Sequence, residues 1–162
     1  MEKSSLFVIR RANGEDISSI VSLSDQKRRF YEKANPQFWK RAENANELQR
    51  QWFTTILDNP NYFIYVADNK TQIDGFIIGQ NINAPAVYNP GGMTLMIDDF
   101  CVASPELWET VGYKLLITVS NEGKKNGAVQ VLIVSGFHDQ EKGLFLKKQG
   151  LYVVSEWYVK QI

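Results

Sequence analysis

The sequence contains a single cysteine, Cys101, and a single histidine, His138. One cysteine excludes an intramolecular disulfide and a cysteine-based zinc site, and one histidine excludes a histidine-rich metal site. The chain also lacks an excess of either charge, since 18 basic residues balance 18 acidic ones. Nothing in this balance favours a nucleic-acid or anionic-membrane surface. We therefore expect no bound metal and no nucleic-acid partner.

Long apolar runs are absent as well. No stretch approaches the roughly 20 apolar residues that a transmembrane helix needs, so we expect no membrane span. The apolar part of residues 1–11 is too short for a secretory signal. With 162 residues, of which 44% are hydrophobic, the chain is large enough to bury a hydrophobic core. These features predict a cytoplasmic protein with a single domain over residues 1–162.

The stretch from residue 96 to residue 127 organises the rest of the chain. Residues 96–102 are short and mostly apolar, which predicts a strand. An apolar stripe with the spacing of a helix follows, formed by Val111, Leu115, Leu116 and Val119. Gly127 is placed to end that helix in a left-handed conformation. Because residues 128–135 resemble another buried strand, the stretch predicts two parallel strands joined by a crossover helix.

The flanking segments supply the remaining elements. A hairpin of two apolar strands, 62–67 and 73–80, precedes the central stretch. Asp139 is expected to cap a helix that ends at Gly150. Residues 151–160 are expected to form a last strand. The predicted order is therefore strand, two or three helices, three strands, helix, strand, helix and strand.

The central stretch resembles the central segment of the GNAT family, the acetyl-CoA-dependent N-acetyltransferases. In that family, a strand ending hydrophobic-x-Val leads to Gln/Arg-x-x-Gly-x-Gly/Ala and then to a helix that continues into Leu-Leu. Phe100 and Val102 match the strand end, and Gly112 matches the last glycine. Leu115 and Leu116 match the leucine pair.

The resemblance also has departures. Leu107 stands where the family has Gln or Arg, and Thr110 stands where it has its first glycine. Downstream, Asp139 matches a family Asn or Asp, and the pair Gly150-Leu151 matches Gly-Phe. The family tyrosine, often the general acid that reprotonates the departing thiolate, falls on Leu146. Leucine cannot donate a proton, so the identity of the general acid stays open.

The resemblance implies an α/β (α+β) GNAT fold, with a mixed central sheet of six or seven strands and helices on both faces. It implies acetyl-CoA as co-substrate, with its pyrophosphate against the backbone from Thr110 to Tyr113. The implied cofactor-binding residues are Phe100, Cys101, Val102, Thr110, Val111, Gly112, Tyr113 and Asp139. The implied activity is N-acetylation of a primary amine on a small molecule, a peptide N-terminus or a lysine. A homodimer is expected only because the family often dimerises.

Asp98 is the candidate general base. The run from Ile97 to Val102 resembles the Glu-Asp-Phe-x-Val run of polyamine-type GNAT enzymes, and Asp98 stands where Glu is the base. A carboxylate there helps to remove the proton from an amine that is mostly charged at neutral pH. Strand alternation is expected to place Asp98 and Asp99 on opposite faces. The alternative is that both acids only pair with Arg or Lys near the strand end.

A second function is consistent with the same residues, namely a GNAT-fold domain that has lost catalysis and binds a ligand or a partner protein. The departures at Leu107, Thr110 and Leu146 favour it, and so does Glu109, which places a carboxylate near the expected pyrophosphate. The start of the long helix distinguishes the two hypotheses. A start near Val111 leaves a loop for a phosphate, whereas a start at Pro105 removes that loop. A third hypothesis is a small structural subunit of a hetero-complex.

Overall fold

The computed structural model describes residues 6–162. Residues 1–5, which belong to the segment 1–11 considered above as a secretory signal, lie outside this range. The strands are β1 Val8–Arg11, β2 Tyr62–Asp68, β3 Ile73–Ile82, β4 Met93–Val102 and β5 Ala128–Ile133. The helices are α1 Ile17–Ala34, α2 Ala45–Leu57, α3 Tyr113–Lys125 and α4 Gln140–Lys148. Within residues 6–162, no helix is long and apolar enough to cross a membrane.

The strands form one sheet in the order β1-β2-β3-β4-β5. All neighbouring pairs are antiparallel except β4 and β5, which are parallel. The predicted strand–helix–strand unit is therefore confirmed, with α3 as the crossover helix. Gly127 has a φ of 101°, so it ends the helix in the predicted left-handed conformation.

Helices cover both faces of the sheet, and each layer has its own core. Ile77 packs with the apolar stripe of α3, whereas its neighbour Ile78 packs with residues of α1 and α2. Adjacent residues of a strand point to opposite faces, so the two cores lie on opposite sides of the sheet. The stripe residues Val111, Leu115 and Val119 are all fully buried. The predicted α+β architecture with a mixed sheet is confirmed.

The prediction of a last strand at residues 151–160 is wrong, and the sheet within residues 6–162 has five strands instead of six or seven. Helix α4 ends with Gly150 at a φ of 84°, and the amide of Leu151 donates to the carbonyl of Leu146. Residues 152–162 then continue without secondary structure and are all exposed. Strand composition expresses a preference, but a strand exists only where a neighbouring backbone accepts its hydrogen bonds.

Two glycines inside β3 allow α3 to pack closely on the sheet. A Cβ atom on Gly75 would lie 2.8 Å from the carbonyl oxygen of Cys101 and 3.0 Å from Val111. A Cβ atom on Gly79 would lie 2.8 Å from Val119. A glycine within a strand often marks such a close approach of another segment. Gly75 pairs with Val102, the last residue of β4. The close packing at Gly75 therefore also fixes the direction in which the chain leaves β4 towards the helical segment.

We expect Gly75→Ala to lower the free energy of unfolding by about 1–3 kcal/mol, because the new methyl group collides with backbone that cannot move independently. Gly143→Ala in α4 is the matched control, since nothing lies within 4 Å of its Cβ position. The control is expected to raise stability by roughly 0.5–1 kcal/mol through helix propensity. Urea unfolding followed by circular dichroism measures both. Equal stabilities for the two variants would contradict the close approach.

Candidate active site at the divergence of two parallel strands

Strands β4 and β5 separate before β4 ends. Their pairing extends to Ile97 and Ile133, and the amide of Val134 still donates to the carbonyl of Ile97 at 3.1 Å. Beyond this point β4 continues to Val102, and no strand within residues 6–162 pairs with it on that side. We call the opening between the two strand ends the β4–β5 gap.

A bulge in β4 lies at the start of this gap. Ile78 of β3 pairs with Asp99, whereas the next residue, Gly79, pairs with Ile97. Asp98 is thus an extra residue in β4. A bulge bends its strand and increases the local twist, which turns the end of β4 relative to β5.

The side chain of Lys142 fills the β4–β5 gap. Its ammonium group donates to the carbonyl of Phe100 at 3.2 Å and to the carbonyl of Val134 at 3.1 Å. The residue is 1% exposed, and the ammonium lies 5.6 Å from the ring centre of Phe100 and 5.9 Å from that of Trp108. One cation therefore links carbonyl groups of two strands that no longer bond to each other.

Burial lowers the pKa of Lys142 to about 8. None of the ion pairs between residues 6 and 162 includes this ammonium group. Carbonyl dipoles and aromatic faces contact the charge directly, and the more distant carboxylates of Asp139 and Asp99 also favour it. A group with a pKa near neutrality can both give and take a proton under physiological conditions.

The sequence analysis missed Lys142, although a signal was present. Lys142 precedes Leu146 by four residues, so both side chains lie on one face of α4. Leu146 occupies the position of the family tyrosine and is buried. The titratable ammonium of Lys142 therefore lies one helical turn before Leu146 on the same face of α4.

Asp139 begins α4 and connects it to α1. Its carboxylate accepts from the amide of Lys142 at 3.4 Å, so the predicted cap is confirmed. The hydroxyl of Tyr31 donates to the same carboxylate at 3.5 Å and accepts from the amide of Gly136 at 3.0 Å. The ring of His138 packs edge-on against Tyr31, with 4.3 Å between ring centres. Tyr31 therefore links α1 to the segment between β5 and α4.

The two adjacent acids have different surroundings. Asp99 forms an ion pair with Lys27 of α1, whereas Asp98 is exposed and takes part in none of the ion pairs between described residues. Partial burial and the nearby charge of Asp99 raise the pKa of Asp98. Because Asp98 is the bulge residue, simple alternation does not hold, and Ile97 and Phe100 both pack in the core under α3.

Cys101 is buried in the core on the α1 and α2 side. Burial raises the pKa of its thiol, so the group stays protonated and unreactive at neutral pH. This agrees with a packing role for the side chain. Its backbone lies at the end of β4, beside the β4–β5 gap, where an amide could polarise a carbonyl group.

The connection from β4 to α3 is wound from Pro105 onwards. A 3-10 turn, Pro105–Leu107, leads into a π-helical turn, Trp108–Gly112, and then into α3. The amide of Tyr113 donates to the carbonyls of Trp108 and Thr110. The predicted cofactor residues Thr110 and Tyr113 are exposed, whereas Val111 and Gly112 are buried. Helical winding after β4 therefore begins at Pro105 and not near Val111.

Trp108 anchors this wound connection. Its ring stacks on Phe145 with 5.3 Å between centres and meets Phe100 edge-on at 4.9 Å. The next residue, Glu109, forms an exposed ion pair with Lys148 at 2.6 Å. A carboxylate thus lies beside the amides that were predicted to meet a pyrophosphate. Across residues 6–162, no cluster of three or more His, Cys, Asp or Glu side chains could hold a metal ion.

No protein-family model and no curated protein sequence matches the chain. Solved structures do match it. The BH1408 protein from Bacillus halodurans, as a tetramutant, aligns with a TM-score of 0.82 and 16% identity, over 96% of this chain and 99% of that chain. A predicted acetyltransferase from Clostridium acetobutylicum, solved with acetyl-CoA, aligns with a TM-score of 0.72 and 20% identity, over 96% of both chains. The aminoglycoside N-acetyltransferase AAC(6')-Iy, solved with CoA, has a TM-score of 0.70 and 12% identity, over 100% of this chain and 98% of that one.

The chain has the GNAT fold. The alignments extend over nearly the whole of each chain, so the resemblance predicted from the central stretch is confirmed as a fold. At identities of 12–20%, these likenesses show the architecture and leave the chemistry to the residues of the site.

We expect the buried ammonium of Lys142 to make stability depend on pH in an unusual direction. Its folded pKa lies below the unfolded value, so the unfolded chain holds an extra proton between about pH 8 and pH 10.5. Titration of Lys142 therefore raises the free energy of unfolding by up to ~3 kcal/mol as pH rises through that window. Below pH 8 the buried ammonium stays charged, so its full destabilisation of the folded protein remains.

Lys142→Met isolates this effect, because it keeps the length of the side chain and removes the charge. The difference in unfolding free energy between wild type and Lys142→Met, measured in urea from pH 7 to pH 10.5, should shift in favour of wild type with rising pH. Lys147→Met is the control, since Lys147 is exposed on the same helix. A difference that stays constant with pH would show that Lys142 titrates normally.

Proposed function

We propose that the chain is an N-acetyltransferase that transfers acetyl from acetyl-CoA to a primary amine by direct attack. The observation that carries this proposal is the β4–β5 gap, with the low-pKa ammonium of Lys142 between the carbonyls of Phe100 and Val134. A splayed pair of parallel strands frees backbone groups of both strands from the sheet, and here Lys142 bonds to one carbonyl of each strand. A titratable group buried there is the kind of feature that marks a site of proton transfer.

The thioester is expected to lie along the end of β4, with the backbone of Phe100, Cys101 and Val102 beside it. Thr110 to Tyr113 and Asp139 would complete the contacts to the rest of acetyl-CoA. Two solved structures with this fold support the choice of co-substrate, because one contains acetyl-CoA and another contains CoA. The cytoplasmic location and the single-domain organisation stay predictions.

Transfer requires a neutral amine, and we assign the removal of its proton to Asp98. The carboxylate is exposed at the bulge, and its raised pKa improves its strength as a base. It takes one proton from the substrate ammonium, directly or through water. The amine lone pair then forms the N–C bond to the acetyl carbonyl, and backbone amides at the end of β4 stabilise the oxyanion.

Collapse of this intermediate breaks the C–S bond and leaves a thiolate. We assign its proton to Lys142, whose pKa of about 8 is close to the roughly 8.5 of an ordinary thiol. A donor and an acceptor with matched pKa values transfer a proton with little cost in free energy. The attacking nitrogen loses its second proton to solvent, Asp98 releases its proton to solvent, and solvent reprotonates the amine of Lys142. The enzyme thus returns to its starting state with one amide, one thiol and one released proton as products.

A non-catalytic domain that binds a ligand or a partner protein is the second candidate. The winding that begins at Pro105 favours it, because the amide of Tyr113 is already bonded within the chain. The carboxylate of Glu109 also adds negative charge where a pyrophosphate would lie. Binding of CoA therefore separates the two candidates.

The first experiment is thermal unfolding with acetyl-CoA, free CoA and ATP. A ligand that binds only the folded state at a hundred times its dissociation constant adds ~2.7 kcal/mol, which is easily measured as a shift in Tm. We expect acetyl-CoA and CoA to raise Tm and ATP to leave it unchanged. No shift at millimolar acetyl-CoA would reject the acetyltransferase and leave the binding domain.

We expect Asp98→Asn to lower kcat/KM by about 10²–10⁴, the range for loss of general base catalysis, with acetyl-CoA affinity unchanged. Release of free thiol, measured with a panel of polyamines, aminoglycosides and peptides, reports the activity. Asp58→Asn is the control, because Asp58 is an exposed carboxylate at the end of α2.

The pH profile assigns the two roles separately. Activity should rise with pH as Asp98 loses its proton and should fall again near pH 8 as Lys142 loses its own. Asp98→Asn removes the acid limb, and Lys142→Met removes the alkaline limb. Unchanged limbs in these variants would assign the proton transfers to other groups.

A further inference from the structure

The pair of strands β4 and β5 has one face that is open to solvent. Ile97 and Ile133 pair with each other and pack in the core under α3. Met96 and Leu132 form the preceding pair, and strand alternation directs both side chains to the opposite face. Leu132 and Val134 are 37% and 42% exposed there. We call the surface formed by Met96, Leu132 and Val134 the apolar floor.

A hydrogen bond between two side chains supports this orientation. The Nε2 atom of Gln130 donates to the hydroxyl of Thr94 at 2.8 Å. Gln130 lies two residues before Leu132, and Thr94 lies two residues before Met96, so all four side chains share one face. Helices α1 and α2 pack on this face over β2, β3 and β4, and the β5 side of the apolar floor stays exposed.

Asp98 lies beside the apolar floor on the same face. Ile97 and Phe100 both pack in the core under α3, so the two acids between them point to the other side of β4. The ion pair of Asp99 with Lys27 of α1 agrees with this direction. Because Asp98 is exposed at the bulge, a ligand on the apolar floor meets a carboxylate where β4 leaves β5.

Three aromatic rings lie between α1 and the connection that follows β5, and we call Phe30, Tyr31 and His138 the ring cluster. The ring centre of His138 is 5.2 Å from that of Phe30 and 4.3 Å from that of Tyr31. Phe30 is 49% exposed, so part of its ring is available to a ligand. Burial lowers the pKa of His138, so its imidazole is neutral at pH 7 and does not repel a cation.

The ring cluster extends from the acids of β4 to the end of the apolar floor. Lys27, which bonds to Asp99, precedes Tyr31 by four residues of α1, or ~6 Å along the helix axis. The amide of Gly136 donates to the hydroxyl of Tyr31 at 3.0 Å, and Gly136 follows Val134 by two residues. An apolar surface, three rings and an exposed carboxylate therefore border one another.

The charges around this surface are balanced except at Asp98. Between residues 6 and 162, Asp98 takes part in no ion pair. The adjacent acid and both acids of α1 are already paired, namely Asp99 with Lys27, and Asp25 and Glu32 with Arg41. Asp139 accepts hydrogen bonds from the hydroxyl of Tyr31 and the backbone of Lys142. One positive charge is thus matched at Asp98, whereas a second would find the acids of α1 occupied.

We propose that the amine acceptor is a primary monoamine with an aromatic ring on a short aliphatic chain. Its ammonium binds at Asp98, and its ring packs on the apolar floor against Phe30 of the ring cluster. This inference rests on the proposed acetyl transfer, which it narrows to one class of substrate. The transfer forms the N–C bond, breaks the C–S bond and yields an N-substituted acetamide, free CoA and one proton.

The chemistry of the surface favours this class over polycationic amines. Edge-on or offset contact between aromatic rings adds affinity beyond the burial of apolar area, by about 2–12-fold per pair. A polyamine or an aminoglycoside brings further ammonium groups that must lose water here without gaining a free carboxylate. The aliphatic chain of the acceptor is also matched by Leu132 and Val134, which are apolar and partly exposed.

Acceptor specificity is measured as kcat/KM for release of free thiol from acetyl-CoA. The probes are 2-phenylethylamine, hexylamine, which has a similar apolar size but no ring, and spermidine. We expect 2-phenylethylamine to exceed hexylamine by about fivefold and spermidine by about tenfold or more. A faster reaction with spermidine, or equal rates for the ring and the alkyl chain, would overturn the proposed class.

Phe30→Leu tests the ring cluster directly, because it keeps an apolar side chain and removes the ring. The ratio of kcat/KM for 2-phenylethylamine to that for hexylamine should fall close to one. Trp52→Leu is the matched control, since Trp52 is 47% exposed and packs edge-on against Tyr62 at the start of β2. The control should keep the wild-type ratio, and circular dichroism should show that both variants are folded. An unchanged ratio in Phe30→Leu would contradict the assignment of the ring cluster.

Calorimetric titration of 2-phenylethylamine, with and without free CoA, separates this inference from the proposed function. Binding of CoA with turnover of spermidine but not of 2-phenylethylamine would leave the acetyltransferase and overturn the substrate class. No thiol release with any amine, but binding of 2-phenylethylamine that Phe30→Leu weakens, would reject the transfer and support recognition of this class of amine. Neither thiol release nor binding of 2-phenylethylamine would overturn both.

Discussion

A buried ammonium group that bridges two backbone carbonyls is the constraint on which this site depends. Where β4 and β5 separate, the carbonyls of Phe100 and Val134 lose the partners that a regular sheet would provide. A buried carbonyl without a donor is costly, and so is a buried cation without an acceptor. Lys142 reduces both costs at once, because its ammonium donates to the two carbonyls. Its pKa is still lowered, because the cost of burying the charge is not fully offset.

The strand separation has a local cause in the bulge at Asp98. The extra residue turns the end of β4 and interrupts the alternation of faces. The carboxylate of Asp98 is therefore exposed, whereas that of Asp99 is paired with Lys27. The same bulge thus opens the space that Lys142 fills and separates the environments of two adjacent acids. In the proposed mechanism, the acid with the raised pKa takes a proton from the amine, and the lysine with the lowered pKa gives one to the thiolate.

The two ends of the site are occupied by different groups. Around Lys142, the ammonium bonds to backbone carbonyls of two strands. Near Trp108, aromatic packing and helical winding occupy the connection that was expected to receive a phosphate. A π-helical turn is uncommon and often occurs at functional sites, so this winding is a distinctive feature of the domain. The chain therefore combines the GNAT architecture with its own version of the segment that follows β4.

The sequence by itself determined the elements whose causes are local. Apolar spacing placed α3, glycines ended α3 and α4, and the hairpin and the parallel strand pair followed from short apolar runs with turn residues between them. The tertiary structure alone decided the role of Lys142, the bulge at Asp98 and the fate of residues 152–162. Periodicity and capping act between neighbours in the chain, whereas desolvation and strand pairing depend on groups that are far apart in sequence. In the sequence, a lysine on α4 looks like any surface lysine, because only the fold shows its position at the β4–β5 gap. A segment that prefers strand conformation likewise stays unpaired where no neighbouring strand meets it.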